Sequence, residues 1–424
     1  MRRNQSVFGV GGVISSRLMA CSVSLLIGVV LMVWCVPDGW AAESGVTSSS
    51  IRVGGVMPLE GDFRNYGLWM KAGIEAALKG EKVQGRTVEF VVRNDFYDPA
   101  KTEKEVRELI QDGIFLMMGS FGTSTTQKAL PILAENKVPA MGFYTGAGFT
   151  GPGEVLNVRA SYAHEVATVI EAVITAGVKP SEVCAYAQND AYGMAGLQGF
   201  KMALTKHPDT GRTVGLLDQI LTMPGDNPPR NNIGPVGVYQ RGIVTARDGY
   251  QSLKKWEAAT GTRCRLVVTI GTYDETAQFI GYARGKGEKW LFSAPSPAAG
   301  DTLKQKLKLL GVTDGVIVTQ VVPPLDSPLP VVQEARAALK SLDYVSLEGY
   351  IVGKLFLAIA RATTGELTRA SFLKAAHNQV FDLGGFKVDF TKDNQGSTFV
   401  LLAYLNAEKY EALPPRDVGK VLPP

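Results

Sequence analysis

From residue 51 onward, hydrophobic positions fall into two alternating rhythms. Short, nearly continuous apolar runs at 51–58, 114–118 and 138–143 read as buried strands, and 87–93 alternates through Val88, Phe90 and Val92 as a half-buried one. Between them, apolar residues recur three and four apart, as a helix face requires. One such helix spans 68–78, with Leu68, Ala72, Ile74 and Leu78 expected inward. A second opens at Asp98 as cap with Pro99 in first position, carries Val106, Leu109 and Ile110 on its buried stripe, and stops at Gly113. A third covers 128–135.

The alternation then begins again. Helices are predicted at 162–176, 191–204 (capped by Asp190), 248–259 and 273–284. Strands are predicted at 182–187, 214–222, 265–270, 289–293 and 317–322. The stretch 224–237, rich in Pro, Gly and Asn, reads as a long surface loop. Two helices, 331–342 and 347–362, follow the Pro323–Pro324 pair. The second is apolar but broken by Lys354 and Arg361 and too short to span a membrane. Segments 386–390 and 399–404 close as strands, and 414–424 reads as a loose tail. Strand–helix alternation throughout predicts an α/β protein with parallel sheets, wound as two similar lobes. Open sheets of this kind bind ligands at the carboxyl ends of their strands, and a cleft between two of them is the natural small-molecule site.

The amino terminus reads differently. Arg2, Arg3 and Arg17 precede an apolar run over 23–36, and small residues at Gly39 and Ala41 fit cleavage after Ala41, the pattern of an export signal. Residues 1–41 are therefore expected to leave the mature protein, which is exported. The formal charge is +4, and without Arg2, Arg3, Arg17 and Asp38 it is +2, too weak a bias to suggest nucleic acid or an anionic membrane as partner. Two of the four cysteines, Cys21 and Cys35, leave with the signal. Cys184 and Cys264 remain in an oxidising compartment; buried free thiols are the expectation and a disulfide the alternative. The three histidines, His164, His207 and His377, are scattered without ligand spacing, so no metal or other cofactor is expected.

The turn 119–127 (GSFGTSTTQ) carries the most suggestive chemistry. It joins the carboxyl end of a strand to the amino end of a helix, where free N–H groups and the helix dipole favour an anion. Ser120, Thr123, Ser124, Thr125 and Thr126 would add hydroxyl donors. A solvated loop capped by Thr123 or Ser124 is the plainer reading. Catalytic signatures are weak. Gly146, Gly148 and Gly151 have dinucleotide-loop spacing, but Pro152 follows and no helix opens there. Ser252 and Lys255 match S-x-x-K without its companion motifs. No enzyme activity is expected. Instead, several predicted strands end in small, hydroxyl or aromatic residues: Tyr66, 122–126, 144–147, 189–193, 272–274 and 293–296.

Those strand ends carry a family likeness. The stretches 51–61 (IRVGGVMPLEG), 94–99 (NDFYDP), 123–127 (TSTTQ), 144–147 (YTGA), 189–193 (NDAYG), 271–273 (GTY) and 344–350 (YVSLEGY) occur in an order and spacing that resembles the type I periplasmic solute-binding proteins of ABC importers, nearest to their leucine/isoleucine/valine-binding branch. The resemblance covers about residues 51–405. It implies two doubly wound parallel-sheet lobes joined by a three-segment hinge, lobe 1 over 51–158 plus 321–385 and lobe 2 over 159–320 plus 386–410, with 411–424 as a tail. It implies a periplasmic protein that captures a small amino acid or related organic acid by lobe closure and delivers it to ABC permease subunits. A ligand sensor acting in regulation is the alternative. Carried over by position, Thr123, Ser124 and neighbouring N–H groups would hold a ligand carboxylate, with Thr145, Gly146 and Ala147 at the same end. Tyr66, Tyr192 and Tyr273 would line the remaining faces. The family's amino-acid binders use a second-lobe carboxylate for the ligand ammonium. Here the matching stretch, 293–297, holds Ser296 but no acid, leaving Asp274 or Glu275 as substitutes and bringing amine-free acids and amides into range. The family's first-lobe disulfide is also missing, with Tyr97 and Gly122 at its places.

Overall fold

The computed structural model describes residues 43–298, 300–407 and 409–423. In the first half, strands β1 (Ser50–Met57), β2 (Lys82–Val83), β3 (Arg86–Asn94), β4 (Met117–Met118), β5 (Ala140–Met141) and β6 (Val155–Leu156) alternate with helices α1 (Arg64–Leu78), α2 (Pro99–Gln111) and α3 (Thr123–Glu135). They build a six-stranded sheet in the order β2-β3-β1-β4-β5-β6. Parallel pairing of β1 with β3 runs from Ser50 opposite Thr87 to Met57 opposite Asn94. The α2 cap forms as the sequence predicts: Asp98 Oδ1 accepts from Ala100 N at 2.9 Å. Ile74 and Leu78 point inward as predicted, with Tyr66, Met70 and Ala77 beside them, while Leu68 is 43% exposed and departs from the prediction. The reason is length. The helix begins at Arg64 rather than at 68, and the longer stripe that starts at Tyr66 sets its orientation.

The second half contributes helices α4 (Tyr162–Thr175), α5 (Ala191–Leu204), α6 (Gly211–Thr222), α7 (Arg247–Thr260), α8 (Tyr273–Gly285) and α9 (Gly300–Leu309). Its strands are β7 (Val183–Gln188), β8 (Val236–Tyr239), β9 (Leu266–Ile270), β10 (Leu291–Ala294) and β11 (Val316–Gln320). Three helices come next, α10 (Pro330–Ala338), α11 (Tyr344–Ala362) and α12 (Arg369–Ala376), then the hairpin β12 (Val380–Asp382) and β13 (Lys387–Asp389), and finally β14 (Leu401–Asn406) and β15 (Lys409–Ala412). The second sheet runs β15-β14-β11-β10-β9-β7-β8, parallel from β8 through β11 and antiparallel at β14 and β15. The chain thus passes between the sheets after β6, after β11 and before β14. Helix α11 packs on α1, where Gly73 lies against Ser346 O so closely that a Cβ would approach it to 2.0 Å.

Four predictions change. Residues 214–222 are helix α6, not a strand: Leu217 and Ile220 are buried three apart, with Val214 and Leu221 packed beside them. Spacing outweighs the strand preference of Val, Ile and Thr. The strand of that region is β8, whose first two residues lie at the end of the predicted 224–237 loop. The carboxyl-terminal tail is docked rather than loose. A 3₁₀ turn over Pro415–Val421 buries Val418 fully within the core that includes α4. Finally, Cys184 and Cys264 form a disulfide, not free thiols, with Cα atoms 5.8 Å apart. Parallel pairing sets Cys184 opposite Val267, so Cys264, two residues ahead of β9, comes beside β7.

Candidate ligand-binding site

The loops at the carboxyl ends of both sheets meet and bond to one another. After β4 the backbone turns through Gly122 at φ +96°, where a Cβ would lie 2.3 Å from the Tyr97 ring, so only glycine fits. Gly122, not Thr123 or Ser124, is the cap, and α3 begins at Thr123. The hydroxyls of Thr123 to Thr126 therefore fall in the first helical turn, and all four residues are buried. Thr125 and Thr126 donate back to Phe121 O and Gly122 O. The other two reach outward: Thr123 Oγ1 lies 2.7 Å from Thr145 Oγ1, and Ser124 Oγ donates to Asp190 Oδ2 at 2.8 Å. The amino end of α3 thus faces a carboxylate of this chain. Asp190 also caps α5 through Tyr192 N and accepts from Gln188 Nε2, with Arg241 at 3.6 Å. Burial pushes its pKa up against these partners. Beside it, a groove of about 610 Å³ opens between α2, α3 and Asp226, with Ser124 in its wall.

Tyr66 and Tyr273 join the two halves. Tyr66 stacks on Phe121 at 4.7 Å and on Tyr273 at 5.2 Å, and its hydroxyl donates to Pro297 O. Tyr273 OH donates to Asp62 O at 2.7 Å, and Tyr192 OH to Gly271 O at 3.2 Å. Gly146 O accepts from Tyr162 N at 2.6 Å, and Ala147 N donates to Thr145 Oγ1 at 3.2 Å. Nine of the ten candidate residues from the sequence, Tyr66, Thr123, Ser124, Thr145, Gly146, Ala147, Tyr192, Tyr273 and Ser296, sit along this seam. Asp274 differs: its carboxylate is partly exposed and paired with Lys306 at 2.7 Å. Glu275 is buried, bonded by the Thr272 hydroxyl.

Three charged residues that sequence reasoning missed lie at the seam's centre. Arg159 follows β6 where the chain leaves the first sheet, Glu165 is in the first turn of α4, and Glu348 is in α11; all three are buried. Glu165 accepts from Ser296 N at 2.7 Å, from Ser296 Oγ at 2.9 Å and from the Thr319 hydroxyl, with Arg159 at 3.9 Å. It thereby places an acid against the 293–297 stretch, where the sequence shows none. Arg159 Nη2 donates to Ser296 Oγ, its Nε lies 3.6 Å from Glu348 Oε1, and its guanidinium covers the Tyr144 ring at 4.5 Å. Burial pushes the Glu348 carboxyl up to about 7, with Arg159 pulling the other way. Burial alone would lower Arg159, but Glu348 and neighbouring groups hold it above its usual value. A lone acid inside the apolar 347–362 helix was the one sequence signal for this cluster.

Known proteins match this arrangement. A model of the periplasmic binding protein family matches residues 50–213. A possible leucine/isoleucine/valine-binding protein from Rhodopirellula baltica is 29% identical, with a TM-score of 0.76, covering 89% of this chain and 99% of its own. A branched-chain amino acid ABC transporter protein from Thermus thermophilus with bound valine is 15% identical at TM-score 0.68, covering 87% and 96%. A solute-binding protein from R. palustris in complex with benzoate is 17% identical at TM-score 0.67, covering 86% and 96%. At such identities the last two establish the fold alone. Comparison with curated protein sequences found no match. Two parallel-sheet lobes with facing strand ends define the type I periplasmic binding proteins, a family that binds substrates rather than transforming them. Residues 50–213 match that family, and the chain as a whole is similar to the possible leucine/isoleucine/valine-binding protein. The family implies an extracytoplasmic protein. Among the described residues no helix is long and apolar enough to cross a membrane, and the export signal expected over 1–41 lies outside them.

Proposed function

We propose that this protein is the substrate-binding component of an ABC importer, exported to the periplasm with its signal removed near Ala41. It captures a small amino acid or related organic acid between its lobes and hands it to a membrane permease. The observation that carries the reading is the seam itself. Ser124–Asp190, Tyr66–Pro297 and Tyr273–Asp62 are bonds between residues at the strand ends of opposite sheets, from first helical turns and the loops that face them, so the closed arrangement has contacts that an open one lacks. A ligand touching both lobes favours that state by its differential affinity, the only way it can shift the equilibrium. The lobes in this reading are 51–158 plus 321–385 and 159–320 plus 386–410. Thr123, Thr145, Gly146 and Ala147 face one end of the ligand, and Tyr66, Tyr192, Tyr273 and Ser296 its sides. Asp274 drops out, because Lys306 already holds it.

The test is calorimetry on residues 42–424, refolded to strip carried ligand, against branched and polar amino acids, amine-free acids and amides. Saturable binding of one class, with compaction in solution scattering, is expected. No binding across the whole panel overturns the reading.

A further inference from the structure

Arg159 is held on one side and bare on the other. Nη2 is taken by Ser296 Oγ and the Tyr144 ring covers one face. Nε and Nη1 are buried, with no hydrogen-bond acceptor among the described residues. The 3.6 Å approach of Nε to Glu348 Oε1 is an ion pair without a hydrogen bond. Glu348 is just as bare: among the described residues no hydrogen bond reaches its carboxylate. Glu165, on the same guanidinium, has both oxygens engaged.

A guanidinium does not shed its proton, and buried donors left unmatched are rare and costly. The group that completes this pair must accept from Arg159 and donate to Glu348. A carboxylate does the first but is repelled by Glu348. An ammonium does the second but offers Arg159 nothing. A hydroxyl or water can do both only through one oxygen, whereas a primary carboxamide does both through separate atoms, its carbonyl oxygen and its NH₂. Resting on the reading of the seam as a solute site, we infer that Arg159 and Glu348 form a subsite for the carboxamide group of the ligand.

The subsite carries a pH signature. Arg159, Glu165, Tyr144 and Tyr162 are the charged and titratable groups around this pair, and burial raises Glu348 to about 7. Below that pH Glu348 becomes an O–H donor and tolerates a ligand carboxylate; an amide gains nothing from the change.

Calorimetry on residues 42–424 with isobutyramide against isobutyrate, and benzamide against benzoate, at pH 8 and pH 6, tests this. At pH 8 the amide that fits is expected to bind at least tenfold tighter than its acid, and at pH 6 most of that gap closes. In Glu348→Gln, whose amide donates at any pH, the gap at pH 8 collapses and the pH dependence disappears. If that variant does not fold, the wild-type pH dependence decides alone. Equal or tighter binding of the acids at pH 8, or a gap untouched by the substitution, overturns the subsite and leaves water as the group between the pair. Binding of amino acids or acids with no amide bound also overturns it while the solute-binding reading stands. Silence from every compound, amino acids included, ends both.

Discussion

Glu165 and Glu348 approach one guanidinium from different supports, Glu165 from α4 beside the second sheet and Glu348 from α11 packed on α1. Glu165 accepts three hydrogen bonds besides its ion pair, whereas among the described residues Glu348 has the ion pair alone. Both carboxyls are pushed up by burial and Arg159 opposes that push at both, but at Glu165 hydrogen bonds from Thr319 and Ser296 add to the opposition and at Glu348 none does. A buried acid with its lone pairs filled is framework. One left with a bare ion pair responds to whatever joins it, whether a proton or a ligand. The same contrast runs along the seam, where Asp190 is filled by Ser124, Gln188 and Tyr192 N.

Removing the shared cation tests the comparison hardest. Arg159→Ala strands two buried carboxylates and is expected to cost roughly 3–5 kcal/mol in denaturant unfolding at pH 7.5. A loss under about 1 kcal/mol would show that neither acid depends on it. Next comes the covalent tie of the second sheet. Replacing Cys184 and Cys264 together by Ser, which opens a link between residues 80 apart, is expected to cost roughly 2–4 kcal/mol. Intact stability in the double variant would mean that β7 and β9 hold their register unaided.

Glu348→Gln separates the two acids by pH. Folded Glu348 keeps its proton up to about 7, above its ordinary range near 4.5. The folded state therefore binds more protons between those values, and stability from this group falls as pH rises through that window. Unfolding of wild type and variant at pH 5 and pH 8 should show the wild type losing on the order of 1–3 kcal/mol more across that range. Parallel curves would contradict the difference drawn between Glu348 and Glu165. Asp95, raised by burial to about 6, gives a residual slope of the same sign in both proteins.

The smallest effects concern the amino end of α3. Thr123→Val keeps the buried volume but removes the hydroxyl shared with Thr145, and is expected to weaken ligand binding about tenfold, roughly 1.4 kcal/mol, with little change in unfolding. Unchanged affinity would take Thr123 out of the site. Ser124→Ala breaks the bond to Asp190 and should shift closure by about 1 kcal/mol, seen as a more open average in solution scattering.

Local pattern accounts for most of what was legible. Strand–helix alternation, the caps at Asp98 and Asp190, and the glycine turn ahead of α3 depend on residues within a few positions of one another, and the sequence displays those directly. The error at 214–222 is of the same local kind: a short apolar run rich in Val, Leu and Ile serves either rhythm, and only the burial of Leu217 and Ile220 decides for a helix. Along the seam, composition pointed to hydroxyl and aromatic loop residues. It did not show that Thr125 and Thr126 bond back to their own turn while Thr123 reaches Thr145 and Ser124 reaches across to Asp190.

The α/β class, the two wound lobes and the strand ends where a solute is expected follow from short-range periodicity and turn chemistry, which the amino-acid sequence carries openly. Tertiary structure alone decided that Cys184 pairs with Cys264, that Val418 docks the tail, and that Arg159 stands between Glu165 and Glu348. Those outcomes depend on groups brought together across the fold, as Ser296 and Thr319 are to Glu165 over 131 and 154 residues of chain. A carboxylate's partners at that distance are set by sheet register and helix packing, which no local pattern records.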